Sequence, residues 1–135
     1  PGGNTFYSLW HLKQRKLIPL IREFAKKGGI VAGLSAGALI MSPRIHLAGI
    51  PEYDADENEI GLTDLDGLGL VPFEFYPHYR RSQKLIRALE TYSERRAQPI
   101  YACADGSGLI IDGDQTRFIG ETWAFFRGRK FPICG

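Results

Sequence analysis

The stretch VAGLSAGALIMSP, from Val31 to Pro43, places one serine between two glycines directly after a short apolar run. Ile30 to Leu34 predict a short buried strand. Ala36 to Met41 predict a helix that Ser42-Pro43 ends. Strand, Gly-x-Ser-x-Gly and helix is the setting in which a sharp turn lifts a serine hydroxyl out of a sheet. Gly33 and Gly37 leave room for that turn, and the first free amide of the helix, on Ala36, would be an oxyanion donor. A plain strand-to-helix turn uses the same residue types, so the local pattern leaves both readings open.

Outward from this stretch, the chain alternates helical and extended patterns. On the N-terminal side, Asn4 caps a helix starting at Thr5, and Pro19 fits the first turn of a second helix. Ile21, Phe24 and Ala25 of that second helix are expected to face the core, with Gly28-Gly29 as its stop. On the C-terminal side, Arg44 to Gly67 is acidic and poor in apolar residues, which predicts a long functional or flexible loop. Leu68 to Tyr76 predict a strand, Ser82 to Ala97 an amphipathic helix, and Pro99 to Cys103 another strand. GLIIDGDQTRFIG predicts a hairpin around Asp112-Gly113-Asp114, and ETWAFFRGRKFPI a second strand pair turning near Gly128. Trp123, Phe125 and Phe126 on those strands are read as core rather than as a dimer patch. The alternation predicts an α/β domain with a largely parallel sheet and antiparallel hairpin strands near the C-terminus.

At 135 residues, with 44% apolar content, the chain is read as a single α/β domain over 1–135. Its 17 basic and 15 acidic residues leave a formal net charge of +2, with no basic stripe to suit nucleic acid. No apolar run has the length of a membrane span. Cys103 and Cys134 fit neither a zinc pattern nor a disulfide framework, so a cytoplasmic setting is expected, without metal or cofactor.

A serine nucleophile needs a base, and the chain has three histidines. His11 falls on an amphipathic helix and is read as part of its solvated face. His46 lies in the loop after the serine helix. His78, in FEFYPHYRR, stands at the carboxyl end of a predicted strand behind Pro77, where α/β sheets carry their chemistry. It is the favoured base. Asp105 in YACADGSG, just past the next strand, is the best-placed acid to hold the imidazole; Asp54, Asp56 and Glu57 of the acidic loop are rivals. A second oxyanion amide would come from PGGN, at Gly3.

Four blocks in order, GGNTF at 2–6, GLSAGA at 33–38, GLGLVPFEFYPHY at 67–79 and ADGSG at 104–108, resemble the peptidase E (aspartyl dipeptidase) family of serine peptidases, with cyanophycinases as more distant relatives. The resemblance implies a doubly wound flavodoxin-like or class I glutamine-amidotransferase-like fold. It also implies Ser35 as nucleophile, His78 as base, Gly3 and Ala36 as oxyanion amides, and Asp105 where the family's PEGN glutamate stands. A further family aspartate falls on Ile50, so that role is either lost or shifted to Asp54 or Asp56. The arginine of aspartate-specific members falls on His46, which leaves Arg44, Arg80 and Arg81 as the cations for a substrate carboxylate. Family members carry strands and helices before GGN that this chain lacks. It is therefore expected to be a fragment or shortened form, its uncovered sheet covered by a missing N-terminal segment or a homodimer partner. The implied activity is that of a dipeptidase or other exopeptidase on short peptides. An esterase using the same triad, and an inactive binding-only domain, are the alternatives. A glutamine amidotransferase is disfavoured, because its chemistry needs a thiolate at Ser35.

Overall fold

Asn4 begins the first helix in the way its side chain allows: Oδ1 accepts from the Tyr7 amide at 3.0 Å, satisfying one of the amides that a helix start leaves open. The computed structural model describes residues 2–51 and 55–133. In chain order these form α1 (Thr5–Gln14), α2 (Ile18–Lys26), α3 (Ala36–Met41), a 3-10 turn (His46–Gly49), β1 (Glu74–Tyr76), α4 (Gln83–Ser93), β2 (Ile100–Cys103), β3 (Gly108–Asp112), β4 (Gln115–Ile119), β5 (Thr122–Phe126) and β6 (Arg129–Ile133). The chain divides between residues 72 and 73 into two compact units.

In the first unit, α1 packs against α3. Phe6 and Leu9 of α1 are buried, as are Ala36, Leu39 and Ile40 of α3 and Ile45 and Leu47 beyond it. Each fully buried leucine stabilises the fold by about 1.5–3 kcal/mol. The loop that returns after the acidic segment lies along the exit of α3. Leu68 donates to the Ile40 carbonyl at 2.7 Å and Gly67 to that of Pro43 at 3.0 Å.

Three sequence expectations change in this unit. Ile30 to Leu34 form no strand, and Ile30 and Leu34 are 91% and 72% exposed, because no neighbouring strand pairs with them among the described residues. The amphipathic α2 has no buried residue, and Phe24, expected in the core, is exposed. That helix is held instead by Arg22, whose Nε donates to the Leu68 carbonyl at 2.6 Å and Nη2 to that of Gly67 at 3.1 Å. The stretch expected as one long loop carries the 3-10 turn and an isolated bridge between Arg44 and Asp66. Of its calls on chemistry, Asp54 lies outside the described residues.

In the second unit, β1 and β2 are parallel, with Glu74 opposite Ile100 and Tyr76 opposite Ala102; α4 makes the crossover. The sheet order is β1-β2-β5-β6, in which β2–β5 and β5–β6 are antiparallel. The largely parallel sheet is thus represented among the described residues by one pair, joined to the antiparallel C-terminal strands that the sequence predicted. The strand expected over Leu68 to Tyr76 is confined to its last three residues. β3 and β4 form the predicted hairpin as a separate two-stranded ribbon.

Ser82 caps α4 through its hydroxyl, which accepts from the Leu85 amide at 3.1 Å, and Leu85 and Leu89 are buried. Tyr92 donates to the carboxylate of buried Glu74 at 2.7 Å, fastening α4 to β1. Phe125 is fully buried, and Trp123 and Phe126 are half-buried, so these aromatics belong to the unit's interior and its margin. No helix among the described residues is long and apolar enough to cross a membrane.

Candidate active site

Ser35 is the residue before α3, and its backbone has φ 54° and ψ −115°. An L-residue pays for that conformation, which glycine adopts freely, and strain of this kind concentrates at functional sites. The cause is local: the chain turns from the non-helical residues before Ser35 into a helix within one residue. Gly33 makes the reversal sterically possible. A Cβ there would stand 2.5 Å from the Gly37 carbonyl oxygen and 2.7 Å from the Ala38 nitrogen. The first amides of the turn to find carbonyls are those of Gly37, Ala38 and Leu39, which donate to Leu34 and Ser35. The Ala36 amide has no part in that set.

The N-terminal Gly2-Gly3 turn lies beside this serine. A Cβ on Gly2 would stand 3.5 Å from the Ser35 Cβ and 3.9 Å from its Oγ. Gly3 has φ +124°, a conformation that L side chains rarely adopt, and nothing lies within 4 Å of where a Cβ would stand. The first unit therefore holds the serine and both candidate oxyanion residues, Gly3 and Ala36, in one place.

Asp56 of the acidic loop is used elsewhere in the same unit. Its Oδ2 accepts from the Thr5 amide at 2.7 Å, at the start of α1, where a carboxylate is favoured by the open amides. Asn4 reaches the same loop, donating to the Glu57 carbonyl at 2.8 Å. The loop thereby ties down the GGN turn. Arg44 is half-buried and His46 is exposed on the 3-10 turn.

The second unit holds the candidate base and the candidate acid, His78 and Asp105. His78 Nδ1 and Asp105 Oδ1 are 2.5 Å apart. His78 has φ 55°, so it too occupies the left-handed region, directly after Pro77. Main-chain bonds fix both residues at the carboxyl ends of β1 and β2. The Tyr79 amide donates to Cys103 O at 2.8 Å, Ala104 to Glu121 O at 3.1 Å, and Ser107 to Ala104 O at 3.0 Å across the Asp105-Gly106 turn. A carboxylate at Nδ1 is the arrangement that orients an imidazole and favours the tautomer with Nε2 as acceptor. Both side chains stay accessible, with 53% and 74% of their surface exposed.

Beside this pair stands a group of which the sequence reading named only Arg81 as a site residue. Arg81 Nε donates to Glu121 Oε1 at 2.8 Å, and the Trp123 indole donates to the same oxygen at 2.9 Å. These two hydrogen bonds, Trp123's first, hold the Glu121 carboxyl below its ordinary range. The Arg81 guanidinium lies 5.2 Å and the Lys130 ammonium 3.8 Å from the Trp123 ring centroid. No local motif marks the group; it is assembled by the pairing of Cys103 with Thr122, which brings Glu121 and Trp123 to the Asp105 end of β2. Arg80, the other predicted cation here, is exposed. Cys103 is buried, and burial pushes its thiol up, away from the thiolate. Among the described residues no cluster of three or more His, Cys, Asp or Glu is placed to hold a metal ion.

Comparison with known proteins adds to this geometry. Residues 1–119 match the family model of peptidase family S51. An uncharacterized peptidase of Listeria monocytogenes is 34% identical over 116 residues, covering 84% of this chain and 55% of that protein. Peptidase E of Shewanella amazonensis is 32% identical over 144 residues, covering 98% of this chain and 59% of its own. A crystal structure of a peptidase E-type protein from Listeria monocytogenes matches with a TM-score of 0.70 at 32% identity, over 87% of this chain and 55% of that one. The chain thus spans little more than half the length of these relatives.

Proposed function

The chain belongs to peptidase family S51, and from that premise we propose that it is a serine peptidase that cleaves short peptides, as a dipeptidase or other exopeptidase, through an acyl-enzyme on Ser35. The observation that carries this reading is the backbone of Ser35: strain at φ 54° has no structural use in a plain turn, which a glycine would make at lower cost. Relatives named peptidase E support a peptide as the substrate.

In the proposed mechanism the oxygen of Ser35 attacks the substrate carbonyl as His78 takes its proton at Nε2. The oxyanion is received by the amides of Gly3 and Ala36. Each donor is worth on the order of 10²–10³ in rate when it meets charge that develops only in the transition state. Asp105 orients the ring and stabilises the imidazolium through Nδ1, at the 2.5 Å contact. His78 then protonates the departing amine, and a water molecule, activated by the same imidazole, releases the acyl group. In this scheme Asp105 is the triad acid, and Asp56 supports the GGN turn through Thr5. Arg44 and His46, which follow the serine helix, are the candidates for contacts to the retained acyl residue.

The test compares wild type with Ser35→Ala on a panel of dipeptides and tripeptides, followed by amine release. Hydrolysis by the wild type alone, with one covalent label from a serine-directed phosphonate lost in the variant, is the expected result. Equal hydrolysis by both proteins rules the mechanism out. Turnover of esters but no peptides would make the protein an acyl hydrolase of another kind, and neither turnover nor labelling would make it a binding domain.

A further inference from the structure

The charged group around Trp123 lies on the unit that carries the histidine, and this has a chemical consequence. In an acyl-enzyme reaction the imidazole protonates the departing amine, so the released residue lies on the histidine's side. When that residue is the last of the peptide, its α-carboxylate is two bonds from the nitrogen being protonated. A cation that recognises it must therefore stand close to His78.

The second unit supplies such cations. Glu121 O accepts from the Ala104 amide, the residue before Asp105, so the segment carrying Glu121 and Trp123 runs beside the His78–Asp105 pair. Arg81, three residues beyond His78, is steadied by Glu121 through Nε, and its guanidinium keeps further donors beyond that one bond. Lys130 reaches across from β6 to lie over Trp123 at 3.8 Å and near Tyr79 at 5.6 Å. Among the described residues no carboxylate lies within salt-bridge distance of its ammonium. Of the two cations, Arg81 alone is paired with a carboxylate, and the charge of Lys130 rests on an aromatic face.

We propose that Arg81 and Lys130, held against Trp123 beside the His78–Asp105 pair, form the subsite for the free α-carboxylate of the residue released on cleavage. This rests on the peptidase reading above and narrows it to peptides cut before their last residue. An amidated or longer peptide brings a neutral group to the same place and leaves the cations unanswered. The loss of one charge-assisted contact is on the order of tenfold or more in affinity.

Binding tests this apart from turnover. The chain has two tryptophans, so Trp10→Phe leaves Trp123 as the sole indole reporter, and Ser35→Ala prevents hydrolysis. Alanyl-leucine and alanyl-leucinamide are titrated while Trp123 emission is followed. The free acid is expected to change the emission at a concentration at least tenfold lower than the amide. Lys130→Met should shrink that gap, Lys130→Arg should retain it, and Lys130→Met with Arg81→Met should erase it. Acid and amide acting at equal concentrations, neither acting, or a gap that Lys130→Met leaves intact would each overturn the subsite. The peptidase reading fails separately, on serine-dependent turnover in the wild-type protein.

Discussion

Replacing Ser35 by glycine should make the protein more stable while abolishing its activity. The residue sits at φ 54° and ψ −115°, a conformation that costs an L-residue about 1–3 kcal/mol and glycine almost nothing. Glycine loses more backbone freedom on folding, which offsets roughly 0.5–1 kcal/mol of the relief. No side-chain capping bond to α3 is lost, because Ser35 makes none. The net gain is about 1 kcal/mol, and for a domain of this size a rise of roughly 4 °C in Tm. Ser35→Ala is the control: it keeps Cβ and therefore the strain, so its Tm should stay within about 1 °C of wild type. Thermal unfolding by circular dichroism of the three proteins, run beside the peptide assay, provides the measurement. A Ser35→Gly protein less stable than wild type, or a Ser35→Ala protein as stabilised as the glycine variant, would show that the backbone is relaxed and remove the main support for a nucleophile.

Gly33→Ala should destabilise the first unit by about 1–3 kcal/mol, read from the urea midpoint, because its Cβ would meet the main chain of Gly37 at 2.5 Å and backbone cannot swing aside. Asp105→Asn should lower kcat by on the order of 10³–10⁴ with Tm unchanged, since the exposed pair with His78 matters for tautomer and orientation rather than for folding. The Glu121 carboxyl, depressed by Trp123 and Arg81, contributes stability that is present in full above the unfolded value of about 4.3 and is lost as pH falls through the lower folded value. An acid titration of Trp123 emission in a Trp10→Phe background should therefore show a transition below about pH 4.3 that Glu121→Gln removes. Ile30→Lys with Leu34→Lys should alter stability by less than about 0.5 kcal/mol per site and reduce binding of a hydrophobic dye, as befits residues 91% and 72% exposed; a large loss of stability would show that these side chains are covered in solution.

How much of this protein is legible in its sequence depends on where each signal originates. Helix starts are local: Asn4 and Ser82 cap the helices they precede because the cap, its acceptor and the amide it meets lie within four residues. The hairpin over Gly108 to Ile119 and the strand pair turning at Gly128 are legible for the same reason. Ile30 to Leu34 fail because a strand is a relation between two segments, and an apolar run carries no word of whether a neighbour is there. The α2 helix fails likewise: its apolar stripe is real, but burial requires something to face it. The site divides along the same line. Gly-x-Ser-x-Gly announces a turn, and only the backbone angle distinguishes a strained serine from an ordinary one. His78 and Asp105 are readable one by one at strand ends, whereas their contact follows from the parallel register of β1 and β2, which no single residue encodes. Glu121, Trp123 and Lys130 are invisible as a group because antiparallel pairing assembles them from β5, the residue before it and β6, after the motifs have ended. Short motifs thus name the candidate reacting residues, and the non-local pairing that motifs omit decides which charges stand around the histidine. If the proposed mechanism holds, recognition of the released residue is therefore to be sought in the pairing of β2 with β5, which sets the charges beside His78.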